Sequence, residues 1–278
     1  MPRWVAVALS AAGPHNPELL QMIAPACLIT GGSSGIGRAT ALLATRGGYR
    51  VAIACLPAHF EDALQVAQEI SVAGGHAVAL QGDVSSRLDI ERLFNETDAA
   101  LGPLSMLVNC AGSYLESRVE ELDFEALSHM IAVNFTGVVY CCREAVRRMS
   151  NRRGGSGGAI VNVSSMAATI GGRPGASAYA GSKAAVDTFT TGFAREVADQ
   201  GIRVNSVRPG VTASAMTAHL QADPELRKRV EASIPLGRIG QPEEVAELIL
   251  WLLSDKASLV TGAHVNVGGG GFHVVGVS

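Results

Sequence analysis

The sequence predicts an α/β fold: a doubly wound parallel sheet of about seven strands with helices on both faces. Short apolar runs alternate with helical stretches almost to the end of the chain, which is the pattern of strand–helix–strand units. The chain has 278 residues, 47% of them apolar, enough for one large core, and α/β domains often reach this length undivided. No internal repeat is visible.

The first strand is read at Ala26–Ile29, followed by a Gly/Ser loop and a helix reaching Gly47. Val51–Cys55 is the second strand, and residues 60–73 form a helix that Gly74 and Gly75 stop. Further strands fall at Ala77–Leu80, Met106–Asn109, Ala159–Val163, Ile202–Val207 and His264–Val267. The longest helices are expected over 123–149 and 177–199. Asn151–Gly158, with four glycines and two arginines, reads as a flexible surface loop. Residues 1–21 are read as an extension and 22–278 as one domain. Arg3 ahead of Trp4–Ala12 loosely resembles a secretory signal, but the stretch is short and no convincing cleavage pattern follows it.

Composition narrows the partners. Lys and Arg total 22 against 25 Asp and Glu, a formal charge of -3, so neither nucleic acid nor an anionic membrane surface is expected as a partner. No apolar run approaches the ~18 residues that span a bilayer. Cys27, Cys55, Cys110, Cys141 and Cys142 form an odd set without a CxxC or a paired His spacing. They predict reduced thiols in the cytoplasm, with no zinc site and no other metal.

Thr30, Gly31, Gly32, Ser33, Ser34, Gly35, Ile36 and Gly37 stand between a buried strand and a helix. A helix start offers unpaired N–H groups and partial positive charge, and glycines admit a pyrophosphate to the backbone. This predicts a dinucleotide site in a Rossmann-like domain. Tyr179 and Lys183 stand at i and i+4 in a helical stretch, on one face. A phenol ordinarily titrates near ~10, and a cation one turn away favours its ionised form, which suits proton transfer.

The TGxxxGxG loop resembles that of the short-chain dehydrogenase/reductase family, in its compact single-domain branch. Ordered landmarks support the resemblance: Asp83 and Val84 after the third strand, Asn109 to Gly112 after the fourth, Asn134, Ser164 and Ser165, Tyr179 with Lys183, and Arg208 to Gly210. It implies an NAD(P)-dependent oxidoreductase that interconverts a carbonyl and a secondary alcohol of a small molecule by hydride transfer. Sugar dehydrogenases and oxoacyl reductases are the similar members.

Within that resemblance Tyr179 carries the substrate proton, Lys183 perturbs Tyr179 and holds the nicotinamide ribose, and Ser165 bonds the substrate oxygen. Ser164 is the competing serine. Asn134 holds a water that links Lys183 to a proton relay. The cofactor is assigned to Gly31, Ser33, Ser34, Gly35, Ile36, Gly37 and Arg38 of the first loop and helix. Asp83 and Val84, then Asn109, Ala111 and Gly112, follow along the chain. Tyr179, Lys183, Pro209, Gly210, Thr212 and Ser214 complete it. Cys110 replaces an asparagine of the family pattern.

In this family an acidic residue ending the second strand favours NAD. Here Cys55, Leu56 and Pro57 stand there, without a carboxylate to repel a 2′-phosphate and without a neighbouring Arg or Lys. Ser34 takes a place that is often basic in NADP-preferring members, and Arg38 is the nearest cation. NADP is therefore favoured over NAD.

Ala213–Gly237 is expected to form a mobile lid. Met216, Leu220 and Leu226 offer apolar contacts to substrate or to neighbouring helices, while Asp223, Arg227, Lys228 and Arg229 face water. Trp251 to Leu253 and 267–272 resemble tetramer-forming surfaces, so a homotetramer is expected, with a dimer as second choice. A catalytically silent nucleotide-binding regulator is the rival reading. An extended sugar-nucleotide epimerase or dehydratase is disfavoured, because seven residues follow Gly271.

Overall fold

Alternate residues of the first strand feed two separate cores. Ala26 and Leu28 pack with Phe94, Leu107 and Ile160 on one face, whereas Cys27 and Ile29 pack with Ile53, Val108 and Leu252 on the other. That alternation follows from the pleat, and it explains why the strands are apolar throughout. The computed structural model describes residues 24–271; the extension expected at 1–21 lies outside them.

Seven strands, β1 (Ala26–Thr30), β2 (Arg50–Cys55), β3 (His76–Gln81), β4 (Leu104–Asn109), β5 (Gly158–Val163), β6 (Ile202–Pro209) and β7 (His264–Val267), form one sheet in the order β3-β2-β1-β4-β5-β6-β7. Every pairing is parallel. Helices α1 (Gly35–Arg46), α2 (Phe60–Val72), α3 (Arg87–Leu101), α4 (Phe124–Ile131), α5 (Gly137–Met149), α6 (Ala167–Ile170), α7 (Ser177–Val197), α8 (His219–Ala222), α9 (Pro224–Ala232) and α10 (Pro242–Leu253) follow in chain order. Residues of α3, α5 and α7 bury into the first core, and those of α1, α2 and α10 into the second. The doubly wound architecture is the one expected. Strand order reverses between β1 and β4, so the loops leaving them splay apart and open a crevice at the carboxyl ends of the strands.

Two expectations change. The helix expected over 123–149 is α4 and α5 joined by a π turn, Ala132–Thr136, a one-residue widening common at functional sites. Asn151–Gly158 is a tight, anchored turn. Gly155 and Gly157 donate to the carbonyls of Ser150 and Met149 at 2.9 and 2.7 Å, and Gly158 donates to Gly201 at 3.0 Å. A β-carbon on Gly157 would stand 2.4 Å from the Gly201 carbonyl oxygen, so the glycines serve close backbone approach.

The segment expected as a lid divides its apolar residues between packing and the cleft. Leu220 and Leu226 pack with Val230, Ile234 and Ile239 in a small core of their own, one of the two contacts their stripe allows, and do not line the cleft. Met216 alone of the three expected apolar contacts stands on the crevice wall. Asp223 caps α9, accepting from Leu226 N at 2.9 Å, and Arg227 pairs with Glu231 at 2.9 Å.

All five cysteines are free, and burial pushes the Cys27 and Cys141 thiols up to about 12. Among the described residues no helix is long and apolar enough to cross a membrane. Among the same residues no group of three or more His, Cys, Asp or Glu is placed to hold a metal ion.

Candidate active site

The crevice between the β1 and β4 exits is a cleft of about 420 Å3. Its floor is fastened by Thr30, whose hydroxyl oxygen accepts from Cys110 N at 3.1 Å and Ala111 N at 3.2 Å. Gly31 holds φ at +66°, and a β-carbon there would lie 2.8 Å from the Ala111 backbone. From this loop Gly31, Ser33, Ser34, Gly35 and Ile36 reach the cleft. Ser34 starts α1 without capping it through its side chain, so its exposed hydroxyl is uncommitted to the helix.

Gly37 is expected at the cofactor but does not line the cleft. It lies beneath the loop, where a β-carbon would be 2.1 Å from the Gly31 carbonyl oxygen. Its role is to let α1 close on β1. Gly37→Ala is therefore expected to cost about 3 kcal/mol of stability through overpacking and to weaken nucleotide binding, as urea denaturation and a ligand titration will read.

Arg38 also departs from expectation. Its guanidinium turns along α1 to Glu69 on α2 at 2.5 Å, away from the cleft wall. Asn109 is buried in the sheet, donating to Asn162 Oδ1 at 2.9 Å, while Asn162 donates to Thr190 at 2.9 Å. It braces the strands and does not line the cleft. Its neighbours Cys110, Ala111 and Gly112 do line the cleft.

Asp83 and Val84 line the cleft at the β3 exit. Asp83 accepts from Ser85 N at 2.8 Å, and the cap of α3 is Ser86, so Asp83 is not a helix cap. Pro209, Gly210, Thr212 and Ser214 follow β6 along the opposite wall. The Thr212 hydroxyl donates to the Gly210 carbonyl at 3.2 Å, and Ser214 N donates to the Thr217 hydroxyl at 3.0 Å.

Ser165, Tyr179 and Lys183 share one wall of the cleft. The two serines are separated by their bonds. Ser164 donates to the Lys183 carbonyl at 3.1 Å inside the protein, whereas Ser165 faces the phenol and accepts from Ala167 N at 3.1 Å. The Lys183 amine donates to the Val163 carbonyl at 2.9 Å and lies 6.0 Å from the centre of the Tyr179 ring.

Burial lowers the Lys183 amine to about 8, against a smaller upward pull from Cys110 and Asp187. Burial likewise raises the Tyr179 phenol, with the Ser165 hydroxyl opposing it. The expected lowering of the phenol by Lys183 is thus not realised in this cleft. Desolvation of the phenolate dominates, and the amine is turned toward Val163.

Asn134 sits in the π turn, fully buried. Its amide donates to the Ser113 carbonyl at 2.8 Å and to Ser182 at 3.1 Å, and its oxygen accepts from Ser113 N at 2.8 Å. It stands one layer behind the wall: a β-carbon on Gly112 would be 3.5 Å from Asn134 Oδ1 and 3.6 Å from Lys183 Nζ. Its bonds pin the chain just ahead of Tyr114, whose ring meets Tyr179 edge-on at 5.0 Å.

Residues the sequence reading did not single out also line the cleft, notably His59 beyond β2, and His129 with Val133 one turn apart along α4 and the π turn. Val133 carries no polar signal, and His59 is neither a Lys nor an Arg, the cations expected beside β2. Below Lys183, Asp187 accepts from Arg208 at 2.7 Å and from Ser206 at 3.0 Å. His264 touches Ser206 through Nδ1 and Thr191 through Nε2. This is not a nucleophile triad, since Ser206 is fully buried.

A family model described as enoyl-(acyl carrier protein) reductase matches residues 31–273. An uncharacterized oxidoreductase of Escherichia coli (strain K12), YgfF, is 48% identical over 248 residues, covering 87% of this chain and 98% of its own length. The 3β-hydroxysteroid dehydrogenase 1 of Eggerthella lenta is 38% identical, covering 87% of this chain and 92% of its own. A solved mutant short-chain dehydrogenase/reductase of Serratia marcescens superposes with a TM-score of 0.83 at 30% identity, covering 90% of this chain and 98% of that one. The chain belongs to the short-chain dehydrogenase/reductase family. It is an NAD(P)-dependent oxidoreductase that interconverts carbonyl and alcohol groups.

Proposed function

We propose that Tyr179 is the proton carrier of this reaction, that Ser165 positions the substrate oxygen, and that Lys183 supplies the buried positive charge beside them. The observation that carries this reading is the shared wall: phenol, serine hydroxyl and buried amine line one cleft that also opens onto the glycine loop. The cleft fits a dinucleotide. At Gly35 a β-carbon would meet only the Ser214 side chain, at 3.6 Å, so the start of α1 is open to a pyrophosphate. Gly31 to Ile36 would hold the phosphates, Asp83 and Val84 the adenine side, and Thr212 and Ser214 the nicotinamide side. When bound, the nicotinamide supplies or accepts the hydride.

The residues then divide the remaining work. Burial keeps the proton on the Tyr179 phenol, which suits donation to an oxygen that is gaining negative charge. Ser165 adds a second donor where that charge grows. A Lys183 amine held at about 8 stays largely cationic at neutral pH and puts a positive charge on the wall where the phenolate is left, an influence that burial of the phenol outweighs. Asn134 acts from behind the wall, by fixing the chain at Ser113.

NADP is the preferred cofactor in this reading, because β2 ends at Cys55, which lines the cleft with Leu56 after it, and no carboxylate ends that strand. The substrate is a small carbonyl or secondary alcohol, and the enzyme works in the cytoplasm as a homotetramer. Trp251, 41% exposed on α10, offers part of an association surface. A monomeric peak in light scattering at micromolar concentration rejects the tetramer. The activity is tested with a panel of carbonyls and alcohols, with each cofactor, followed at the reduced-nicotinamide absorbance. Turnover that favours NADPH is expected, and silence across the panel returns the rival reading of a nucleotide-binding regulator.

A further inference from the structure

We propose that Tyr114 is a substrate-binding residue, a fixed aromatic face beside the reacting phenol that selects neutral ketones and secondary alcohols carrying an apolar ring. This inference rests on Tyr179 as the proton carrier and names the substrate class of that same site.

The chain around Tyr114 is held on both sides. Asn134 clasps Ser113, accepting from its N–H at 2.8 Å and donating to its carbonyl at 2.8 Å. Further on, Ser117 N donates to the Gly175 carbonyl at 2.8 Å, which ties the loop after β4 to the loop ahead of α7. Glu116 lies against that second tie, since a β-carbon on Gly175 would stand 3.2 Å from Glu116 Cγ. A short bow of chain fixed at two points has little conformational freedom left to lose when a ligand binds.

The ring on this bow is set against the chemistry. Its centroid lies 5.0 Å from that of Tyr179, with the two planes at 73°. Tyr179 is the one Phe, Tyr or Trp on the cleft wall among the described residues, so Tyr114 is the aromatic group that continues this wall toward solvent. The Tyr114 hydroxyl donates to Glu116 at 3.0 Å. Burial, with Glu116 adding to it, pushes the phenol up to about 12, so the polar tip is committed and neutral. What remains for a ligand is the apolar face, and Tyr114 is 38% exposed although hydrogen bonds hold the chain on either side of it.

Charge and shape set the substrate class. Glu116 and Arg173 both act on the Tyr114 phenol, in opposite directions. The mouth therefore carries one charge of each sign and favours a neutral ligand. Met216, 46% exposed, lines the cleft and offers a second apolar surface that adapts its shape. A rigid ring lies against a planar aromatic face and brings its area without rotatable bonds to freeze. An open chain of the same carbon count must freeze several to make the same contact.

Cyclohexyl methyl ketone and 2-octanone are neutral methyl ketones with the same carbon count, and only the first has a ring. The ratio of their kcat/KM values, followed at the reduced-nicotinamide absorbance, isolates the contribution of the ring. The wild type is expected to prefer the ring ketone about tenfold. Tyr114→Ala is expected to bring the ratio to within about twofold of unity, chiefly by raising KM for the ring ketone. Tyr114→Phe keeps the aromatic face and loses only the bond to Glu116, so it is expected to keep the preference. Nucleotide affinity, measured by fluorescence titration, reports the fold of each variant, because Tyr114 stands off the cofactor wall.

A wild-type ratio near unity, or turnover of neither ketone by an enzyme that reduces other carbonyls, overturns the Tyr114 assignment and leaves Tyr179 standing. So does a preference that survives Tyr114→Ala: an equal loss of kcat on both ketones then marks Tyr114 as a prop for the Tyr179 ring. A preference lost in Tyr114→Phe as well overturns the aromatic face and assigns selectivity to the bond with Glu116. Wild-type silence on every carbonyl and alcohol tested overturns both readings. If Tyr114→Ala loses nucleotide affinity, Tyr114→Leu takes its place; it keeps apolar volume without the flat face and is expected to lose the preference too.

Discussion

Tyr179→Phe is expected to lower turnover about 10³-fold, within the ~10²–10⁴ that positioned general acid–base catalysis contributes, while nucleotide affinity stays within about twofold. The ring occupies the same volume, so its edge-on contact with Tyr114 at 5.0 Å is kept and the cleft wall does not collapse. What disappears is the one hydroxyl that burial holds in its protonated state beside Ser165. Ser165 remains as a donor, and the hydride geometry set by the glycine loop is untouched. The residual rate therefore reports positioning and Ser165 alone. Steady-state rates on the substrate that the panel identifies, with nucleotide binding followed by fluorescence titration, separate the two effects. A Phe variant with near wild-type turnover removes Tyr179 from the chemistry. One that also loses nucleotide binding shows a collapsed cleft.

The parts of this site that were legible in the sequence are the local ones. Glycine spacing in the first loop, the one-turn separation of Tyr179 and Lys183, and the run of apolar strands each follow from backbone geometry over fewer than about two helical turns. The illegible parts depend on partners distant in the chain. Nothing near Arg38 announces that Glu69, on the next helix, will take its guanidinium. Nothing near Asn109 announces the ladder of amides through Asn162 to Thr190. Side-chain direction at both residues is set by these distant partners, which the local sequence does not carry.

The same limit explains the other departures. A stripe of Leu220 and Leu226 specifies burial but not what buries it, and the small core under α8 and α9 takes both. Hydrophobic periodicity does not register a π turn, because one widened turn shifts the register after Asn134 without breaking the apolar pattern. The direction of the Tyr179 shift is not legible in the sequence for a related reason. The spacing places a cation one turn from the phenol, but it carries no measure of the desolvation that both groups share.

That shared desolvation yields the second large effect: Lys183→Met is expected to abolish most turnover and yet raise stability at neutral pH. Lys183 is 5% exposed and its amine is lowered from 10.5 to about 8 in the folded protein. Below about pH 8 the amine is protonated in both the folded and unfolded chains, and the folded state bears a cost of about 3 kcal/mol for that buried charge. Between about 8 and 10.5 the unfolded chain keeps a proton that the folded chain has released, so this group's contribution rises with pH. Met replaces the stem with an apolar chain of similar length. It forfeits the 2.9 Å bond to the Val163 carbonyl, a loss of about 1 kcal/mol. The net expectation at about pH 7 is a gain of about 2 kcal/mol, shrinking toward zero and then reversing as the pH passes about 10. Urea denaturation of both proteins at several pH values reads this directly. If the variant is less stable at neutral pH, Asp187 compensates the ammonium more fully than its burial opposes it. Lys183 is then a structural cation as well as a functional one.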